Sequence, residues 1–463
     1  MHTDAVPPAP RASVGGQTRA LLSLGLPLVA SHVAQMLIGV TDTLMLGWYD
    51  VTDLAALSVS GPIFFIIFIF GSGFAWAVTP MVASALSQDD ERQVRRVTRM
   101  GLWLSILFGL LVVPFFFFAE PIFLAIGQEP DVARQAGLYM PWLGIGIIPA
   151  LLVQVLKSYL SALELTRAIL LAVIGAAILN AGVNYLLIFG NLGAPELGIT
   201  GAGIASLVSH MTSLVALCVY AVLKRPDHSL FRNLHRPDPE ILRTVFALGL
   251  PIGLTLLAEV GLFAASSVMM GWLGKVPLAA HGIALQIASL TFMIPLGLSQ
   301  AVTVRVGRAW GRNDAAELRA AALAGMLLAG IAVVATIAAF LIIPEILIGI
   351  FVDPDDPARP EIIATGVALL AMAALFQLVD FGQVMGLGML RGVHDTRVPM
   401  IMAIISYWLI GLPVSYVMGF TLGWGGVGVW LGLSVGLAAA CIGMQYRFWR
   451  RYGSVSPAPA SLA

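Results

Sequence analysis

Charge-free, mainly apolar stretches of 18 or more residues recur along the whole chain, from LLSLGLPLVASHVAQMLIGV at residues 21–40 to GGVGVWLGLSVGLAAACIGM at 425–444. About 20 such residues wound as a helix cross the ~30 Å hydrocarbon core of a bilayer. A helix also satisfies its own backbone hydrogen bonds there, which open irregular chain cannot do. Only 11% of the 463 residues are charged and 59% are hydrophobic, against roughly 25% charged in soluble domains. A water-soluble globule is therefore excluded, and the expected fold is an all-α polytopic membrane protein with twelve transmembrane helices. The 25 Lys+Arg balance 25 Asp+Glu with no basic block, so the clustered positive charge that nucleic acid requires is missing. Cys218 and Cys441 both lie in apolar segments, giving neither a disulfide framework nor metal-ligand spacing. Residues 1–19 lack the basic start and short apolar core of a cleaved signal, and the first hydrophobic helix is expected to be retained.

Dividing the apolar runs at charged or Gly/Pro-rich breaks places twelve spans between residues 20 and 446, the fourth near 135–157 and the tenth near 362–390. The organisation that follows is an N-terminal tail (1–19), six helices (20–223), a linker (224–241), six further helices (242–446) and a C-terminal tail (447–463). Basic residues near span ends are retained in the cytoplasm. With both termini inside, 22 of the 25 Lys and Arg face the cytoplasm, and only Arg134, Lys275 and Arg359 lie outside. By this division no Lys or Arg falls within the core of a span.

Sliding the chain along itself by 224 residues superposes Leu24-Gly25-Leu26-Pro27 on Leu248-Gly249-Leu250-Pro251, Gly47-Trp48 on Gly271-Trp272, Leu54-Ala55-Ala56 on Leu278-Ala279-Ala280, and Asp90 on Asp314. At a shift of 230, Thr166-Arg167 meets Thr396-Arg397. Six spans separate equivalent points, so the halves share one topology and are related by a pseudo-two-fold axis along the membrane normal. Two pseudo-symmetric six-helix bundles are expected, with a substrate cavity between them.

Three acids fall inside spans: Asp42, Glu259 and Asp380. A carboxylate within the membrane is costly and by default marks an ion or proton path or a counter-charge for substrate. The repeat aligns Glu259 with Gln35 and Asp42 with Ser266, so each half carries its own acids rather than copies. Gln35 and Asp42 are two turns apart on one helix face. Asn180 and Asn184 form an i,i+4 pair whose amide oxygens suit Na⁺ or a carboxyl proton beside Asp42, and equally suit hydrogen bonding between helices. Gln286 and Gln377 are weaker cavity-lining candidates. His32, His210 and His281 are isolated from one another and read as packing histidines.

Several stretches, taken together at their spacing, resemble the multidrug and toxic compound extrusion family and its bacterial NorM-like branch. They are the LGLP openings of spans one and seven, Asp42-Thr43 after Gln35, EVGLFAASSVMMGWLG around Glu259, AAHGIALQIASLTFMIPLGLSQAVTVRVGRAWGR, QLVDFGQVMGLGMLRG around Asp380, and NYLLIFGNLGAPELGITGAG after Asn180. The resemblance covers roughly residues 16–450. It implies cation-coupled export of amphipathic, often cationic drugs and dyes by two six-helix lobes. Asp42, Asn180 and Asn184 match the family's first-lobe cation or proton cluster, and Glu259 and Asp380 its second-lobe cation site, a tentative Na⁺ site. Some relatives carry Tyr where this chain has Phe292, which leaves a ring face in place of a hydroxyl ligand.

The expected function is thus Na⁺- or H⁺-coupled antiport, with no cofactor beyond the coupling ion and no catalysis. A carboxyl shielded from water can itself carry a proton. The alternative is a lipid-linked oligosaccharide flippase, which requires basic cavity residues. An intramembrane aspartyl protease requires a GxGD-like setting that Val379-Asp380-Phe381 and Thr41-Asp42-Thr43 lack. Expected partners are amphipathic small molecules and lipid, with no nucleic acid. A monomer in the bacterial cytoplasmic membrane, with both termini cytoplasmic, is the expected state.

Overall fold

The structure, a computed structural model, describes residues 13–453. Among the described residues there are helices and connecting turns, and no strand. Twelve helices are long and apolar enough to span a bilayer: α1 (Val14–Tyr49), α2 (Val51–Ser87), α3 (Glu91–Phe117), α4 (Pro130–Ala162), α5 (Thr166–Phe189), α6 (Ile199–Lys224), α7 (Pro239–Leu273), α8 (Lys275–Gly311), α9 (Ala315–Ile342), α10 (Arg359–Gly392), α11 (Arg397–Thr421) and α12 (Gly425–Arg451). Most exceed the expected spans by several residues, because helix continues through the polar residues that flank each apolar core. The expected tails are shortened accordingly: α1 starts at Val14 rather than 20, and α12 runs on to Arg451. Residues 1–12 and 454–463, which make up the remainder of those tails, lie outside the described residues. The fourth and tenth spans end at Ala162 and Gly392, so Lys157 and Arg391 belong inside helices and not in loops.

Helix starts follow side-chain capping, in which an acidic or hydroxyl group accepts from otherwise unpaired N–H groups at the positive end of the helix. Ser13 caps α1, Asp50 caps α2, Asp90 caps α3, Asp238 caps α7 and Asp314 caps α9. Short helices at Ala119–Ala125 and Pro344–Gly349 follow α3 and α9, in the connections just past the expected ends of the third and ninth spans.

The internal repeat is written into the backbone. Asp89 (φ 55°) and Asn313 (φ 55°) stand at the 224-residue shift, and Glu164 (φ 63°) and His394 (φ 62°) at the 230-residue shift. Each occupies the left-handed region, uncommon for a residue with a side chain, just past the end of α2, α8, α4 or α10. Equivalent helices end in the same way and send the chain into equivalent tight turns.

Close contacts between the two halves include α1 against α8, where Val29 meets Gly297 and Gly25 meets Leu298. They also include α2 against α7, where a Cβ on Gly73 would collide with the Gly253 backbone, and α2 against α8, where Gly307 and Gly311 lie on Pro80 and Ser84. All of these fall toward the face carrying both termini and the linker. Small residues permit that approach, as is usual where membrane helices pack closely.

α11 is wound unusually. Ile405–Gly411 and Val417–Thr421 adopt the wider i→i+5 turns of a π-helix. Pro413 lies between them and has no N–H to donate, and Gly411 lies against the Gly436 backbone of α12.

The linker is docked on α3. Arg96 pairs with Asp238 at 2.6 Å and Glu240 at 3.1 Å, Arg99 Nη1 donates to the Arg232 carbonyl, and Trp103 Nε1 to the Leu234 carbonyl. The Arg96 guanidinium holds the Asp238 carboxyl below the usual carboxylate range. The contact is therefore complete above the ordinary Asp pKa and is lost as pH falls through the lowered value. Hydrogen-exchange protection at residues 226–242, taken relative to the intrinsic amide rate at each pH, should fall on acidification in the wild type. In Asp238→Asn the same protection should already be low at neutral pH with little further pH dependence, and a wild-type profile in that variant would show that other contacts hold the linker.

Candidate functional site

In the first half, α1 and α5 cross where their apolar sequence is broken by polar residues, and this brings Asp42, Asn180 and Asn184 together. Asp42 is 6% exposed and both asparagines are fully buried. Asn184 Nδ2 donates to Asp42 Oδ1 at 2.5 Å and to Asn180 Oδ1 at 3.2 Å, and Ser206 of α6 donates to Asp42 Oδ2 at 3.4 Å. Asn180 Nδ2 and Asn184 Oδ1 are buried with no partner. The cluster therefore holds a spare donor and a spare acceptor beside an acid. Rotating the Asn184 amide by 180° turns its oxygen toward Asp42, so the same two residues serve either a carboxylate or a protonated carboxyl.

Asp42 forms part of the wall of a cavity of about 410 Å³ inside the first half. Gln35 shares that wall, as do Tyr139, Lys157 and a stripe on α6 comprising Ser206, Ser209, His210 and Ser213. The stripe follows i, i+3, i+4, i+7 spacing and was visible in the sequence as one polar helix face. At the far end Lys157 Nζ donates to Gln35 Oε1 at 2.9 Å.

In the second half, Glu259 on α7 and Asp380 on α10 are 8% and 2% exposed. Each lies in the electrostatic field of the other, yet no hydrogen bond joins them, and Asp380 Oδ1 is buried without a donor. Beside them Gln383 Nε2 donates to the Tyr407 hydroxyl at 2.6 Å, and Gln383 Oε1 is left unpartnered. Tyr407 comes from the π-helical part of α11. Glu259 and Arg391 feel each other through space without forming an ion pair.

The halves differ at equivalent positions. Where the repeat places Ser266 opposite Asp42, the second half holds a filled neutral core: Trp430 Nε1 donates to His281 Nδ1 at 3.1 Å, and Ser266 and Ser267 lie within 3.4 Å of His281 Nε2. Of the remaining expected cavity residues, Gln377 is buried and donates to Thr291 Oγ1 at 2.7 Å, bonding α10 to α8. Gln286 is exposed and Phe292 half-buried, and neither lines the cavity of Asp42.

One expectation is corrected outright. Lys157 and Arg391 are 7% and 9% exposed and lie within α4 and α10, so basic side chains do occur inside spans. A charged residue ordinarily marks the end of a span, but the long aliphatic stem of Lys or Arg lets it begin inside a helix and carry its charge to a polar chamber.

At the terminus-bearing face an ionic network joins the halves. Glu164, just past α4, pairs with Arg305 at 2.9 Å and Arg308 at 2.8 Å on α8. Arg305 also reaches Glu317 and the Gln17 side chain of α1, and Arg312 pairs with Glu317.

The MatE family model matches this chain twice, over residues 27–186 and 251–417, with starting points at the same 224-residue offset as the repeat. A protein from Rhizobium meliloti (strain 1021) described as a probable multidrug resistance protein NorM is 45% identical over 447 residues, covering 96% of this chain and 95% of the relative. Its counterpart from Agrobacterium fabrum, described in the same words, is 44% identical over 433 residues, 93% of each chain. Among solved structures, the eukaryotic MATE transporter AtDTX14 superposes with a TM-score of 0.83 at 18% identity, over 96% of this chain and 98% of its own. A multidrug resistance MATE family transporter in an outward-facing conformation superposes with a TM-score of 0.84 at 21% identity, over 94% and 96%.

Proposed function

The chain belongs to the MatE family as a NorM-type multidrug transporter, and from that premise we propose that it exports amphipathic, often cationic compounds in exchange for Na⁺ or H⁺ by alternating access. It does so from the cytoplasm across the bacterial cytoplasmic membrane, with both termini inside. The observation that carries the coupling is the acid pair of the second half: two carboxyl groups buried inside the spans, one with an oxygen that meets no donor. A charged carboxylate in lipid is expensive without a partner, and a transported cation supplies one.

Contacts between the halves toward the terminus-bearing face support a conformation closed to the cytoplasm and open outward. In it, Na⁺ or H⁺ from outside neutralises the acids, weakens their hold on an organic cation, and favours the reverse tilt of the bundles. One positive charge moving inward through ~150 mV releases about 3.5 kcal/mol, enough for a gradient of roughly 300-fold in a neutral compound. A monovalent organic cation exchanged one for one gains nothing from voltage and needs a Na⁺ or pH gradient, or a second coupling ion.

Dye efflux by purified protein in liposomes, under Na⁺, pH and voltage gradients imposed separately, identifies the coupling ion; efflux indifferent to all three would end the antiport reading. Asp42→Asn should change the number of coupling charges per dye, read as the voltage at which net dye flux reverses. An unchanged reversal voltage would leave Asp42 with a helix-bonding role alone. For the flippase reading, Lys157 and Arg391 supply the basic residues it requires. The chamber that both line holds about 30 Å³, too little for a pyrophosphate-linked sugar, and the larger first-half cavity of about 410 Å³ is lined by Lys157 but not by Arg391.

A further inference from the structure

A chamber between the halves is walled by α1, α2 and α4 on one side and by α8 and α10 on the other. Lys157 of the first half and Arg391 of the second both line it, and its wall contains no Asp or Glu. The Arg391 guanidinium lies 5.2 Å from the Trp76 ring centroid and, though nine-tenths buried, meets no hydrogen-bond acceptor among the described residues. Lys157 spends one hydrogen on Gln35 and keeps two. His32 Nε2 and Gln154 Oε1, also on chamber-lining side chains, are buried and unpartnered. Glu259, an acid in the field of Arg391, is not part of the wall.

Two buried cations facing one narrow space, with unused donors and no acid in the wall, form a site short of negative charge. Burying such charges is costly unless they are paired. We propose that this chamber binds one small monovalent anionic group, held by Lys157 from one half and Arg391 from the other. Its volume of about 30 Å³, above the ~10–15 Å³ that suffices for one water, admits a halide or the tip of a single carboxylate. The shared chemistry has two sources, a free anion such as chloride or formate, and the carboxylate tip of a zwitterionic amphiphile entering by way of Lys157, which also lines the first-half cavity. An anion held between the halves would act as a clasp on the closed face.

The test uses purified full-length protein on scintillation-proximity beads, with ³⁶Cl⁻ or ¹⁴C-formate titrated at ionic strength fixed by sulfate, a divalent anion without a carboxylate. Saturable binding near one anion per chain is expected, weakened at least tenfold in Lys157→Gln and in Arg391→Gln and unchanged in the exposed control Arg92→Gln. Absence of saturable binding, or equal binding in both chamber variants, overturns the proposal. Should either variant fail to fold, bromide anomalous density in the wild type decides: a peak between Lys157 and Arg391 supports the site, and an empty chamber at saturating bromide refutes it. A carboxylated rhodamine and its methyl ester, added as competitors, distinguish the sources. Displacement by the acid alone assigns the site to a cargo carboxylate, and displacement by neither assigns it to the free anion.

Discussion

In liposomes, Asp380→Asn and Glu259→Gln should each reduce ion-driven dye accumulation to the level of protein-free vesicles. Under one net charge of coupling at ~150 mV this is a fall from a gradient of roughly 300-fold to none. Both changes keep the shape of the side chain and replace a titratable oxygen by an amide, so size-exclusion profile and thermal unfolding should stay close to wild type. Retained folding is expected because the acids do not stabilise each other: they are buried side by side without a shared hydrogen bond or an ion pair. Removing one removes a like-charge neighbour as well. Loss of transport with retained folding therefore separates a coupling role from a structural one, and undiminished efflux in both variants would take the coupling site away from the second half. The two should also differ in detail. Asp380 Oδ1 has no donor, whereas Glu259 also lies in the field of Arg391, so Glu259→Gln should alter anion binding in the chamber and Asp380→Asn should affect it less.

Breaking the network at the closed face should shift the balance between conformations. Glu164 accepts from two arginines of α8, with side-chain exposures of 31% for Glu164 and 16% and 21% for Arg305 and Arg308. Partial exposure screens these pairs, so about 1–2 kcal/mol for the group is a reasonable scale, or a factor of roughly 5–30 between closed and open populations. Spin labels at Arg167 and Asn313, one in each half, should report a longer-distance population in Glu164→Gln than in the wild type. The double variant Glu164→Gln/Arg305→Gln should open the face further than the single, since Arg305 also holds Gln17 of α1 and Glu317. An unchanged distance distribution would mean that glycine-mediated packing alone keeps this face shut. Glu164 also carries backbone strain in the left-handed region, and Glu164→Gly, which relieves that strain but deletes the carboxylate, should open the face as Glu164→Gln does.

The helical count and the duplication were legible because both rest on long-range regularity: apolar length sets the spans, and ungapped identities set the repeat. Asp42, Asn180 and Asn184 were legible as a group because polar atoms in lipid must find one another, and only a few were available. Lys157 and Arg391 were not, since charge was used as the marker of a span's end, a rule that fails where a polar chamber reaches into the bundle. Ser206 and the α6 stripe were readable by helical spacing but are small and ambiguous, as serine packs equally well between helices. The π-helical turns of α11 leave no compositional trace beyond Pro413 and Gly411, because they arise from how α11 meets α12. Pairing of Gln377 with Thr291 was likewise invisible, as it depends on the register between α8 and α10.

Lys157 belongs to two cavities at once, the first-half cavity that holds Asp42 and the chamber that holds Arg391. A side chain with one charge and three hydrogens cannot satisfy both occupants independently. By thermodynamic linkage, whatever factor an anion in the chamber imposes on the affinity of a cation near Asp42, that cation imposes on the anion in return. With Lys157 drawn toward the chamber, the positive charge in the first-half cavity falls and a cation is held more tightly in that cavity. With Lys157 turned to Gln35, the reverse holds. Communication between the two spaces then requires no motion of a helix, only the swing of one lysine on its four-carbon stem.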